Sequence, residues 1–285
     1  MALPDQFDLE EFVRRVLAED MGSGGDVTSA ATISADARFA AEMNCRQPIV
    51  VAGLEIAAAF FRELDPDVRI DQLVDDGNAV EAGTVLMRMQ GNARAMLTAE
   101  RSALNTLQHL SGIATMTREY VEAIAGTGAT LLDTRKTIPG LRVLEKYASR
   151  MGGAQNHRMR LEDGLLIKDN HVGVAGGVAE AVRAAKAANT GLPVQVEVDR
   201  IDQIEPALRA GADRLLLDNM PPPVLREAVA LVAGRVPLEA SGGVNLHTIR
   251  AIAETGVNYI SVGRITQSAP AVDVGLDYSL QQAVS

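Results

Sequence analysis

The sequence predicts an α/β protein in two parts, an α+β N-terminal portion followed by an incomplete, about six-stranded α/β barrel. Three observations carry that prediction. From about Leu107 to Thr266, short apolar runs suited to strands alternate with longer amphipathic runs suited to helices, a pattern of parallel strands joined by right-handed crossovers. Gly191, Gly211, Gly234 and Gly256 fall where those helices should end. Nearly every apolar run in this half is followed by charged or hydrogen-bonding residues, and the carboxyl ends of the strands are where a parallel barrel keeps its ligand. A complete barrel has eight such units, so this one is expected to be open or distorted. A doubly wound open sheet is the second arrangement that fits the pattern.

Composition narrows the function. The chain has 285 residues, 47% of them apolar, enough for one large or two modest domains. No apolar run approaches the ~18 residues of a membrane-spanning helix. The opening MALPDQFDLEEF lacks a basic stretch followed by an apolar one, so no secretory signal is expected. A single cysteine, Cys45, leaves no internal disulfide framework and fits a reducing, cytoplasmic compartment; it reads as a small core residue rather than a nucleophile. A formal net charge of −10 and the absence of tryptophan argue against a nucleic-acid partner.

In the N-terminal part, Asp8 with Glu11 suggests a capping box, ahead of an apolar stripe of Leu9, Phe12, Val13, Val16 and Leu17 at helical spacing. Met21–Ser29 reads as a glycine-rich loop. Strands are expected over Phe39–Met43, Ile49–Val51, Val68–Val74 and Thr84–Met89, with an amphipathic helix over Leu54–Leu64 that stops before Pro66. The D-G-x-x-V-x-x-G run from Asp76 to Gly83 has the form of a lipoyl-type hairpin, but no lysine sits in its turn, so it reads as structural. Arg94–Ala125 reads as one long helix with Ala103, Leu104, Leu107, Leu110 and Ile113 on its buried face; spacing alone leaves Arg101 on the solvated side.

In the C-terminal part the expected strands are Thr130–Asp133, Leu165–Lys168, Val194–Val198, Arg214–Asp218, Pro237–Ala240 and Tyr259–Val262. The expected helices are Leu141–Arg150, Val178–Ala188, Ile201–Ala210, Val224–Ala233 and Leu246–Glu254. The strand ends carry Asp133–Lys136, Lys168–His171, Glu197 with Asp199, Asp218 with Asn219, Glu239 with Ser241, and Gly263.

An acidic chain that gathers Arg135, Lys136, His157, Arg158 and Lys168 around two strand ends is building a pocket for an anion. Two anion sites can be separated. Ser241-Gly242-Gly243 before a helix, closed by Gly263-Arg264, suits a phosphate. Arg135, His157, Arg158 and Lys168 exceed what one monophosphate needs and suggest a second polyanion such as a dicarboxylate. Glu197 and Asp218 supply the opposite charge and suit Mg2+, unless they are strand-end salt-bridge partners of Lys168 or Arg135. His157 and His171 lack transition-metal spacing.

Seven motifs then occur in order: ERSALNTLQHLSGIAT (Glu100–Thr115), DTRKTIPGLR (Asp133–Arg142), GGAQNHR (Gly152–Arg158), LIKDNH (Leu166–His171), VEV (Val196–Val198), LDNM (Leu217–Met220) and EASGGV (Glu239–Val244). Together with EDMGSGGDVT (Glu19–Thr28) and ISVGRITQSA (Ile260–Ala269), this resembles the quinolinate phosphoribosyltransferase family over nearly the whole chain. The resemblance implies an N-terminal α/β sandwich over residues 1–106, an open α/β barrel over 107–266, and a segment, 267–285, that returns to the first domain. It implies a homodimer in which Arg101 reaches the partner's active site. It assigns Arg101, Arg135, His157, Arg158 and Lys168 to quinolinate, Lys136, Glu197 and Asp218 to phosphoribosyl pyrophosphate and Mg2+, and Ser241, Gly242 and Gly263 to the 5′-phosphate; Thr134 joins the substrate-binding set. Lys136, Glu197 and Asp218 become the expected catalytic residues. Three positions depart from the usual pattern: Ala154 for a third glycine, Arg264 for a small residue, and Gln267 for a frequent histidine. The alternatives left open are a nicotinate-type phosphoribosyltransferase and a non-catalytic ligand-binding paralogue.

Overall fold

The computed structural model describes residues 7–280; residues 1–6 of the opening segment and 281–285 of the C-terminal segment lie outside them. The chain divides into two compact units. One takes Met1–Met116, Val143–Gly152 and Ala269–Ser285, and the other Thr117–Arg142 and Gly153–Ser268.

The first unit opens with α1 (Leu9–Met21), whose first turn is capped by Asp8: its carboxylate accepts the Glu11 N–H at 2.8 Å. Phe12, Val13 and Leu17 are its buried face. A second helix, α2 (Val27–Thr32), begins inside the end of the expected loop Met21–Ser29. The cause is local: Asp26 accepts both the main-chain N–H and the hydroxyl of Ser29, at 2.9 and 2.5 Å. Next come β1 (Arg38–Cys45), β2 (Ile49–Val50), α3 (Leu54–Leu64), β3 (Arg69–Gln72), β4 (Ala79–Val80), β5 (Val85–Asn92) and α4 (Ala93–Ala123). Phe39, Ala41 and Met43 alternate to one buried face of β1, as a half-buried strand requires. Phe12 of α1 meets Phe60 of α3 edge-on, with 6.1 Å between ring centroids.

β12 (Val274–Leu280), for which no element was expected, pairs antiparallel with β1 and completes a sheet of order β12-β1-β5-β3. β2 and β4 form a separate ribbon. Asp76, in the turn read as structural, ties this unit together. Its carboxylate accepts the N–H groups of Gly53 and Leu54 at 2.8 and 3.1 Å, capping α3, and the Tyr147 hydroxyl at 2.6 Å. Burial and that carboxylate push the Tyr147 phenol far above its ordinary value. Asp76→Ala should lower the unfolding free energy by about 2–4 kcal/mol, summing a lost helix cap and a lost buried hydrogen bond from Tyr147. Urea denaturation followed by circular dichroism checks this, and a loss below ~1 kcal/mol would contradict it.

The second unit holds β6 (Thr130–Leu132). The chain then forms α5 (Arg142–Gly152), most of which belongs to the first unit, and returns as β7 (Leu165–Ile167), α6 (Asp169–Ala175), α7 (Val178–Ala187), β8 (Val194–Val198) and α8 (Ile204–Arg209). β9 (Arg214–Asp218), α9 (Pro222–Val232), β10 (Leu238–Ser241), α10 (Ile249–Ala253), β11 (Tyr259–Ser261) and α11 (Arg264–Gln267) follow. The six strands form one parallel sheet of order β6-β11-β10-β9-β8-β7. Successive strands are neighbours from β7 to β11, and β11 closes back on β6, so the ring is open at one place, between β6 and β7. A single bridge from Leu132 to Gln155 begins to fill that seam.

Period-two alternation decides what faces inward. Val194, Val196 and Val198 are buried on one side of β8, as are Leu215 and Leu217 on β9 and Leu238 and Ala240 on β10. Their neighbours Gln195, Glu197, Asp218, Glu239 and Ser241 therefore share the other side. The helix expected from Leu246 starts three residues later. Asn245 holds the intervening turn by accepting the His247 N–H at 3.0 Å and donating its own N–H to Thr248 Oγ1 at 3.0 Å. No helix among the described residues is long and apolar enough to cross a membrane.

Candidate active site

At the carboxyl ends of the barrel strands lies a cleft of about 180 Å3. Its walls are Thr134, Arg135 and Lys136 after β6, His157 and Arg158 from the seam loop, Leu166 and Lys168 at β7, Glu197, Leu216, Asp218, Glu239, Ser241 and Ser261. All belong to the second unit. Nine of the residues singled out by sequence are thus brought to one cavity. Gly242 and Gly263 stand beside it with steric roles. Gly242 has φ +90°, and a Cβ there would collide with Asn219; a Cβ on Gly263 would sit 2.7 Å from Lys136 Cδ. Arg101 lies exposed on α4 in the first unit. Arg264 and Gln267 are also exposed.

The short turn after β6 positions the first cations. Lys136 donates its main-chain N–H to Thr134 Oγ1 at 3.0 Å, and its carbonyl accepts the Thr266 hydroxyl at 2.8 Å. Arg135 keeps Nε buried without a hydrogen-bond partner among the described residues. A buried guanidinium N–H is a charged donor of the kind that suits an anion. Arg158 is fixed differently, donating from Nη1 to the Gly164 carbonyl at 2.9 Å. Burial and the neighbouring Arg135 lower its pKa, which marks two guanidiniums sharing one region. Lys168 begins α6, and its main-chain N–H donates to His171 Nδ1 at 3.0 Å. His171 therefore caps a helix and does not line the cleft.

The seam loop is locked by a carboxylate absent from the expected site. Asp133, fully buried at the end of β6, accepts the His157 N–H at 2.8 Å and the Asn156 side-chain amide at 2.6 Å. The DTRK motif named Asp133 but gave it no task, and Asn156 carried no signal beyond membership of GGAQNHR.

The opposite wall is anionic. Burial pushes Glu197 up, and the charge of Asp218 adds to the push, with Lys168 opposing. Burial likewise raises Asp218, against a hydrogen bond from Asn219 Nδ2 at 2.6 Å. Asn219 holds φ +54°, a conformation that asparagine tolerates better than most residues, and its N–H donates to the Ser241 carbonyl at 2.9 Å. Glu239 is fully buried in the cleft wall; burial raises it, but the His157 ring and hydrogen bonds from Gln195 and Ser261 more than offset that and hold it below the usual carboxylate range. No group of three or more metal-ligating side chains occurs among the described residues.

A parallel α/β barrel with fixed cations, paired carboxylates and a glycine turn at its strand ends defines an enzyme for anionic small molecules. The comparisons specify which kind. Residues 26–111 match the model of the quinolinate phosphoribosyl transferase N-terminal domain, and residues 113–277 that of the C-terminal domain. The chain is 43% identical over 278 residues to the nicotinate-nucleotide pyrophosphorylase [carboxylating] of Mycobacterium leprae, covering 95% of this chain and 98% of that one. It is 40% identical over 277 residues to a probable nicotinate-nucleotide pyrophosphorylase [carboxylating] of Bacillus subtilis, covering 97% and 95%. The solved nicotinate-nucleotide pyrophosphorylase of Francisella tularensis superposes with a TM-score of 0.92 at 39% identity, covering 98% of this chain and 100% of that one. The chain belongs to the quinolinate phosphoribosyltransferase family.

Proposed function

We propose that this enzyme transfers the phosphoribosyl group of phosphoribosyl pyrophosphate to quinolinate and releases pyrophosphate and carbon dioxide. The product is nicotinate mononucleotide, as de novo NAD synthesis requires. The observation that carries the reading is one cleft holding Arg135, Lys136, Arg158 and Lys168 opposite Glu197 and Asp218. A pyridine dicarboxylate needs several forked cationic contacts, and a phosphoribosyl diphosphate needs cations plus carboxylates.

The quinolinate ring nitrogen attacks C1 of the ribose while the C1–O bond to pyrophosphate breaks, the electron pair leaving with pyrophosphate. Positive charge develops on the ribose, and Glu197 and Asp218 stabilise it. Lys136 offsets charge on the departing pyrophosphate. In the pyridinium so formed, the bond from C2 to its carboxylate breaks, the electron pair passes to the ring, and C2 takes a proton from water. Arg135, Arg158 and Lys168 position the dianion, with Thr134 and His157 beside them. Ser241 and the turn at Gly242, together with Gly263, are assigned to the 5′-phosphate.

Glu197 and Asp218 fit Mg2+: an oxygen-only pair, each raised by burial beside other negative charge, suits an ion that takes one or two protein carboxylates and completes its shell with phosphates and water. Bound there, Mg2+ supplies Lewis-acid neutralisation of the diphosphate. The assembly we propose is a homodimer in which the exposed Arg101 completes the partner subunit's quinolinate pocket. A buried free thiol at Cys45 and the acidic composition support a cytoplasmic protein.

The raised carboxylates set a pH dependence. Each is protonated below its folded-state pKa, so activity should fall as pH drops through values above 3.8 for Asp218 and 4.5 for Glu197. Excess Mg2+ favours the ionised forms and should move that acid limb to lower pH; a limb insensitive to Mg2+ would contradict the assignment. The nicotinate-type alternative is tested by substituting nicotinate for quinolinate. We expect at least a hundredfold lower turnover with nicotinate, on the order of two lost charge-assisted contacts; equal turnover without carbon dioxide release would replace this reading.

A further inference from the structure

Glu239 is the one fully buried carboxylate among the cleft-lining residues, and the reaction as written gives it no role. Its Oε2 accepts from Gln195 Nε2 at 2.8 Å and lies 3.4 Å from His157 Nε2, with Arg214 Nη1 at 3.8 Å. Its Oε1 is buried without a hydrogen-bond partner among the described residues. The other ring nitrogen of His157 is also engaged: Nδ1 accepts the main-chain N–H of Arg158 at 2.8 Å. A nitrogen that accepts an N–H carries no proton, so the proton of the neutral ring sits on Nε2, facing Glu239.

We propose that Glu239 is a positioning residue for the dianion pocket. Its buried oxygen selects the Nε2–H tautomer of His157, which leaves Nδ1 free to hold the Arg158 main chain in place. A chain of contacts then runs from the cleft wall through Glu239 and His157 to Arg158, whose guanidinium is fixed at its far end by the Gly164 carbonyl at 2.9 Å. His157 acts here as a spacer with a chosen tautomer between Glu239 and the Arg158 main chain. This gives the His157 of the GGAQNHR motif a task different from the cationic one its composition suggests.

The kinetic part of this proposal rests on the quinolinate reading above; the spectroscopic part does not. The first measurement is 15N–1H correlation on the histidine-labelled wild-type protein near neutral pH, with His157 assigned by its loss in His157→Gln. We expect a protonated Nε2 and an unprotonated Nδ1. A proton on Nδ1, or on both nitrogens, overturns the proposal without any variant at Glu239 having to fold. The second measurement is steady-state kinetics. Glu239→Ala should mix the tautomers and raise KM for quinolinate at least tenfold, while KM for phosphoribosyl pyrophosphate stays within about twofold. Glu239→Gln keeps an acceptor for His157 and should recover KM for quinolinate to within about threefold of wild type. Equal changes in both KM values, or a glutamine variant as impaired as the alanine one, would make Glu239 a merely structural residue. If wild type shows the expected tautomer but does not turn over quinolinate, the function fails and the positioning contact stands.

Discussion

Replacing Arg158 with alanine should lower kcat/KM for quinolinate by about 10- to 100-fold, with most of the loss in KM. The magnitude follows from one desolvated, charge-assisted contact at roughly 1.5–3 kcal/mol, each 1.4 kcal/mol being a factor of ten. The geometry makes the loss hard to repair. Arg158 is held at its main chain by His157 and at its guanidinium by Gly164, so its charge is presented from one fixed place that no other side chain reproduces. Arg135→Ala should cost a similar amount, because its Nε is buried without a hydrogen-bond partner among the described residues. The two substitutions share one dianion and one electrostatic environment, so the double variant should lose less than the product of the singles. A near wild-type kcat/KM in either single variant removes that arginine from the quinolinate pocket.

Asp218→Asn has the larger expected effect on the chemical step. It should reduce kcat by ~100- to 1000-fold, the usual cost of removing a group aimed at charge that develops in the transition state. The substitution is nearly isosteric and leaves Asn219 and the Ser241 contact in place, so the loss reports charge rather than folding. It carries a built-in second reading. Asp218 is one cause of the raised Glu197 pKa, so its neutralisation should bring Glu197 down and move the residual acid limb to lower pH. An unchanged limb would mean that the two carboxylates do not share a field.

Much of the barrel was legible because parallel strands buried on one face read as short valine- and leucine-rich runs, and chemistry in such folds gathers at strand ends. That rule alone put Lys136, Glu197, Asp218 and Ser241 in one cavity. What was not legible depends on side chains reaching across the fold. The α2 helix hangs on one aspartate cap at Asp26, and Asp76 serves a helix start some twenty residues earlier and a tyrosine seventy-one residues later. The resemblance implied that the last segment returns to the first domain, but nothing in its residues marked β12 as a strand; its pairing with β1 does. Within the site, residue type pointed to anions but did not separate the roles of individual residues. His157 and His171 look alike in composition; one has its ring beside a buried carboxylate in the cleft and the other caps a helix. No spacing rule separates those outcomes, because each is decided by the residue facing the ring.

The most direct test of the account is an assay of the purified protein with quinolinate, phosphoribosyl pyrophosphate and Mg2+, following nicotinate mononucleotide and carbon dioxide together. The account predicts the two products in equal amounts, and neither when quinolinate, phosphoribosyl pyrophosphate or Mg2+ is withheld. Folded protein that binds quinolinate yet forms neither product, or product whose yield is indifferent to Mg2+, would contradict it.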